Sequence, residues 1–158
     1  MDDDTKYSID TSALLHGWVR AYPPSIFPAL WDRLEELISN GQLIASKEVL
    51  NELKRKDDDL FEWCSNREEM FVEIDDNIQV HMAHIMGKYQ KLVDTSKGKS
   101  GADPFVIALA MTHNPPFAVV SEEKGGSAKN PKIPYVCREE DILCITLLQL
   151  IQKQGWKF

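Results

Sequence analysis

Lys6 to Leu15 reads KYSIDTSALL: a short apolar run that ends on an aspartate, followed at once by Thr11, Ser12 and a second apolar run. The pattern predicts a short strand over residues 6–10 and then a short helix closed by Gly17 and the Tyr22-Pro23-Pro24 turn. A carboxylate at the exit of a buried strand has three candidate tasks. Asp10 is a cap for the helix that follows, a nucleophile, or a metal ligand.

Outward from this stretch, strand and helix keep alternating. Ile26, Leu30, Leu34, Leu37 and Ile38 recur at helical spacing up to Gly41, where a terminator belongs. Leu43 to Ala45 forms a brief apolar run, and Ser46 is placed to cap a helix carrying Val49, Leu50 and Leu53. Asp59 with Glu62 has the form of a capping box for a helix through Trp63 that frays by Asn66. A short MFVEI strand follows, and Asp75 or Asp76 then caps a helix lined by Ile78, Met82, Ile85, Met86 and Tyr89. Ala102 to Met111 reads as an almost wholly buried helix, Phe117 to Val120 and Tyr135 to Cys137 as strands, and Thr146 to Lys153 as a last helix stopped by Gly155. Such alternation predicts one α/β domain over residues 1–158, with a mostly parallel sheet of four to five strands covered on both faces.

With 158 residues, the chain is long enough to bury a full core without disulfides. Its three cysteines form no CxxC pair, which argues against a zinc knuckle and fits a reducing, cytoplasmic setting. The acidic start MDDDTKYS is unlike a secretory signal, and no apolar run approaches the length of a membrane span, so no membrane partner is expected. A net charge of −7 opposes broad attraction to nucleic acid. Two stretches depart from it: Lys124, Lys129, Lys132 and Arg138 lie in an acid-free segment, and Lys88, Lys91, Lys97 and Lys99 surround the lone Asp94.

In a parallel sheet, functional groups gather beyond the carboxyl ends of the strands. Asp10 stands at one such end, Asp103 opens the buried helix of ADPFVIALA, and Glu122 and Glu123 follow FAVVS; Glu52, inside the helix after the second strand, reaches back toward them. Each acid alone has an ordinary reading as a cap, a solvated helix residue or a loop acid. Together they repel one another, and a hard divalent cation relieves that repulsion. Oxygen-only ligands favour Mg2+ or Mn2+ over zinc, and such ions serve in-line displacement at phosphorus.

These residues resemble the PIN-domain ribonuclease family. YSIDTSALL is similar to its first motif, SKEVLNEL to the second, GADPFVIALA to the third and VVSEEK to the fourth. The pattern PKIPYVCRE, a terminal helix and GWKF resemble the small bacterial subgroup DUF4411. The resemblance implies a three-layer α/β/α PIN-like fold and a Mg2+- or Mn2+-dependent endoribonuclease. Asp10, Glu52, Asp103 and Glu123 would be its acidic site and metal ligands, supported by Thr11, Ser12, Ser121 and Glu122. The fourth motif departs from the family, with Glu in place of the usual Asp and a second Glu beside it, so that Glu122 and Glu123 both qualify as the fourth acid. Implied partners are an RNA substrate, contacted through Lys97, Lys99, Lys124 and Lys129, a cognate antitoxin as for VapC-like toxins, and a second copy of the chain.

Two rival readings belong to other classes. A haloacid-dehalogenase-like phosphatase needs an acid two residues after its nucleophile, where this chain has Ser12. A non-catalytic PIN-like binding module would keep the sheet and lose the chemistry. His81 and His84, three apart on a helix, lack a marked third ligand and read as surface or packing residues. Cys137 and Cys144 read as core, and the four tryptophans as packing anchors.

Overall fold

A computed structural model describes residues 4–93 and 101–158. Lys97 and Lys99 lie outside the described residues.

Strand β1, Tyr7–Ile9, is buried at all three positions. Successive strand residues face opposite sides of a sheet, so both faces are covered here, and the same holds for β4, Ala118–Val120. With β2 (Leu43–Ser46), β3 (Phe71–Val72) and β5 (Cys144–Ile145) these strands form a five-stranded sheet in the order β3-β2-β1-β4-β5 among the described residues. Every pairing is parallel. Tyr7 is paired with Leu43 on one side and Ala118 on the other, which aligns the carboxyl ends of β1 and β4.

Helix α1, Thr11–Leu15, starts directly after β1 and runs without a break into a π-helical segment, His16–Ala21. The chain then forms α2 (Pro28–Ser39), α3 (Lys47–Lys54) after β2, and α4 (Asp58–Ser65). Beyond β3 come α5 (Asp76–Lys88) and α6 (Asp103–Met111); α7 (Ile133–Glu139) and α8 (Leu147–Gln154) flank β5. Helix α6 is apolar almost all round because it lies on β1, β2 and β4 while α5 packs on its outer side. Ser8 follows the same logic: its hydroxyl, fully buried under α6, donates to the Val106 carbonyl at 2.9 Å.

Most element ends follow local chemistry. Ser46 caps α3, Asp75 caps α5, and Thr146 forms a capping box with Gln149 at α8. Gly41 and Gly155 take left-handed backbone after α2 and α8.

Four expectations are corrected. Residues 135–137 are helical, because Pro134 sits in the first turn of α7, and the last strand is Cys144–Ile145. The cap of α4 is Asp57, whose carboxylate accepts from the Leu60 N–H at 2.9 Å, so Asp59 lies inside the first turn. Helix α2 begins at Pro28, leaving Ile26 69% exposed, and Met86 turns outward from α5. The π-helical segment has no counterpart in the sequence reading.

Trp18, Trp31 and Trp63 pack against one another edge to face or tilted, with ring centroids 4.9–6.1 Å apart. The Arg67 guanidinium lies 3.9 Å from the Trp63 ring centre. These three tryptophans act as packing anchors, and Trp156 packs partly buried against the same core.

Candidate metal centre

Asp10 ends β1 at the N-cap of α1, and its Oδ1 accepts the Ala13 N–H at 2.8 Å. Capping accounts for one of its oxygens only in part. Ser12 Oγ stands 2.8 Å from both Oδ1 and Oδ2, and Ser121 Oγ, at the exit of β4, donates to Oδ2 at 2.7 Å. Three donors thus aim one carboxylate toward the end of the sheet.

Asp103 enters the same space from the first residue of α6, with Pro104 beside it, and Glu123 enters from the loop after β4. Carboxylate oxygens of Asp10, Asp103 and Glu123 lie within 4.8 Å of one another. Glu52 approaches from α3. It is 6% exposed, accepts a 2.5 Å hydrogen bond from Thr11 Oγ1, and its charge acts on Asp103.

Crowding shows in the proton affinities. Burial, opposed by the three hydrogen bonds and reinforced by the Glu123 charge, pushes the Asp10 carboxyl up to about 7. Asp103 is held well above the ordinary carboxylate range, first by burial and then by Glu123, Asp10 and Glu52. A buried cluster of this kind is relieved either by retaining protons or by taking up a cation. The donor set is all oxygen and of one sign, which fits a hard divalent ion.

The two adjacent glutamates separate cleanly. Glu122 turns away from the cluster: its Oε2 accepts the Leu147 N–H at the start of α8 at 2.8 Å, and its Oε1 lies 3.7 Å from His16 Nε2. Glu123 is the one that meets Asp10 and Asp103. Ser12 joins Asp10 to the Glu122 backbone, since its Oγ also accepts the Glu122 N–H at 3.0 Å, while the Glu123 N–H donates to Ser121 Oγ at 3.1 Å.

The DUF4411 family, described as a domain of unknown function, matches residues 7–158. The chain belongs to the DUF4411 family. Comparison with curated protein sequences gives no match. Among solved structures, a chain from the crystal structure of VapBC2 from Rickettsia felis, bound to a DNA fragment from their promoter, matches with a TM-score of 0.54 and 14% identity. The match covers 90% of this chain and 98% of that one. At that identity the likeness is one of fold, and the fold of this DUF4411 chain is PIN-like.

Other candidates are placed elsewhere. Lys124 and Lys129 are exposed in the loop after β4. His84 Nε2 lies 2.7 Å from Glu140, which also takes Lys88 at 3.0 Å and the Tyr89 hydroxyl at 2.6 Å, so this histidine ties α5 to the end of α7. Cys137 is fully buried and Cys144 partly so, both as free thiols. The sequence reading passed over His16 and Arg20. Both share with Ser12 the i, i+4, i+8 face of the first helical segment, a signal visible in SALLHGWVR.

No helix among the described residues is long and apolar enough to cross a membrane.

Proposed function

We propose that this chain is a Mg2+- or Mn2+-dependent endoribonuclease, acting as a single PIN-like domain over residues 1–158 and serving as the toxin of a bacterial toxin–antitoxin pair. The observation that carries the reading is the meeting of Asp10, Asp103 and Glu123 at the carboxyl end of a parallel sheet. The shared fold with a VapBC2 chain supports an antitoxin partner. Homodimerisation and a cytoplasmic site of action go with the same reading.

Asp10, Asp103 and Glu123 would hold the cation directly, with Glu52 as the fourth acid behind Asp103. When bound, a divalent ion supplies an activated water and neutralises charge on the phosphate under attack. The protein's share is placement. Ser12 and Ser121 fix the rotamer of Asp10 and favour its charged form, while Thr11 anchors Glu52. Water as nucleophile leaves a 5′-phosphate and a 3′-hydroxyl. A phosphatase with Asp10 as nucleophile is disfavoured, because the group at position 12 is a hydroxyl engaged with Asp10 itself.

The test is incubation of purified protein with structured RNAs and added Mg2+ or Mn2+, alongside Asp10→Asn and Asp103→Asn. Cleavage by the wild type that both variants lose by at least about a hundredfold is the expected result. Equal cleavage by all three proteins would sink the assignment.

A further inference from the structure

A cavity of 560 Å³ opens beside the acidic cluster, lined by Ser12, Leu15, His16, Val19, Arg20, Glu122 and Lys124. Its size is in the range of about 300–1,000 Å³ typical of ligand pockets. Five of these residues follow the spacing of one helix face from α1 through the π-helical segment. The opposite face of that segment is pinned: a Cβ at Gly17 would stand 2.6 Å from Leu147 Cδ2 and 3.4 Å from Trp31. The wall is therefore held rigidly against α8 and α2.

Its chemistry is unlike that of the cluster next door. Among the described residues, Arg20 and Lys124 make no ion pair, in a chain whose net charge is −7. The acid on the wall, Glu122, already faces the N-terminus of α8 and His16. Val19, 53% exposed, and the partly buried Leu15 give the same lining an apolar stretch. Unpaired cations around a small apolar wall suit a group with an anion at one end and a flat apolar face at the other. Ser12 joins this space to Asp10.

We infer that the cavity seats one nucleotide of single-stranded RNA adjacent to the cleaved bond. Arg20 and Lys124 hold its phosphate, His16 borders the same anion, and Leu15 and Val19 carry the face of its base. The inference rests on the ribonuclease reading and adds a substrate subsite to it.

The test is fluorescence anisotropy of a labelled short single-stranded oligouridylate, with calcium replacing magnesium and RNA integrity checked on a gel, together with KM and kcat in magnesium. The proteins are wild type, Arg20→Ala/Lys124→Ala, Val19→Ser, and Arg33→Ala/Lys56→Ala as a charge-matched control. The double variant should bind roughly tenfold or more weakly, with the slope of log K against log salt reduced by about 0.7, the value for one phosphate, and should raise KM more than it lowers kcat. Val19→Ser should weaken binding severalfold with the slope unchanged. The control should match the wild type. If the wild type binds and cleaves while the Arg20/Lys124 variant matches the control, the subsite is overturned and the ribonuclease reading stands. A wild type that neither binds nor cleaves RNA overturns both.

Discussion

Thr11 and Glu52 are 41 residues apart in sequence, and the hydroxyl of one donates to the carboxylate of the other at 2.5 Å, both buried. This bond joins the helix that follows β1 to the helix that follows β2, and it fixes the acid that approaches Asp103 from α3. Thr11→Val keeps the shape and removes the donor. We expect a stability loss of about 1.5–3 kcal/mol, the worth of a hydrogen bond to a charged group, and reduced RNA cleavage. Urea denaturation and a cleavage assay check the two effects separately.

Asp10 is governed by opposing forces, burial raising its proton affinity and the Ala13, Ser121 and Ser12 bonds lowering it. Ser121→Ala removes one of the restraining bonds, so the folded-state pKa of Asp10 rises further. The acidic limb of the pH–rate profile should therefore move to higher pH, by more at limiting than at saturating metal. An unmoved limb would mean that Asp10 is not the group titrating in it.

The cation-free protein should grow less stable as pH rises. The Asp10 carboxyl is pushed up to about 7 from its ordinary 3.8, so the folded state holds more protons than the unfolded state between those values. Stability from this source is full below about pH 4 and is lost as pH passes through 7, and Asp103, raised in the same direction, extends the loss to higher pH. Mg2+ or Mn2+ should reverse it. Thermal melts at pH 5 and pH 8, with and without the ion, should show the larger gain in Tm at pH 8.

Gly17→Ala places a methyl carbon against Leu147 and Trp31, both buried. Overpacking of this kind costs about 1–3 kcal/mol. Because Leu147 also carries the N–H bound by Glu122, the strain should loosen the start of α8. A lowered midpoint in chemical denaturation, with faster amide exchange at the first residues of α8, is the expected outcome.

The sequence made β1, β2 and β4 legible because their signals are local: an apolar run, then a polar cap, then a helical period. Asp10 and Asp103 were visible for the same reason, each standing at a junction that the pattern marks. Other features depend on distant partners. Glu122 and Glu123 are chemically alike, and what separates them is the N-terminus of α8, 25 residues onward, which takes Glu122 away. Three aspartates in a row at 57–59 offer three caps, and the path of the chain out of α3 selects the first. Residues 135–137 carry the composition of a strand, and Pro134 two residues into a helix outweighs it. The π-helical widening after Leu15 brings Gly17 against α8, a packing demand that no local pattern encodes.

If Asp10, Asp103 and Glu123 hold one divalent ion together, loss of any one of them weakens its binding. Calorimetric titration of Mn2+ into metal-free wild type, Asp103→Asn and Glu122→Gln tests it most directly. Saturable binding by the wild type, at least about tenfold weaker binding by Asp103→Asn, and near wild-type affinity for Glu122→Gln are expected. Equal binding by wild type and Asp103→Asn, or no binding by the wild type, would contradict it.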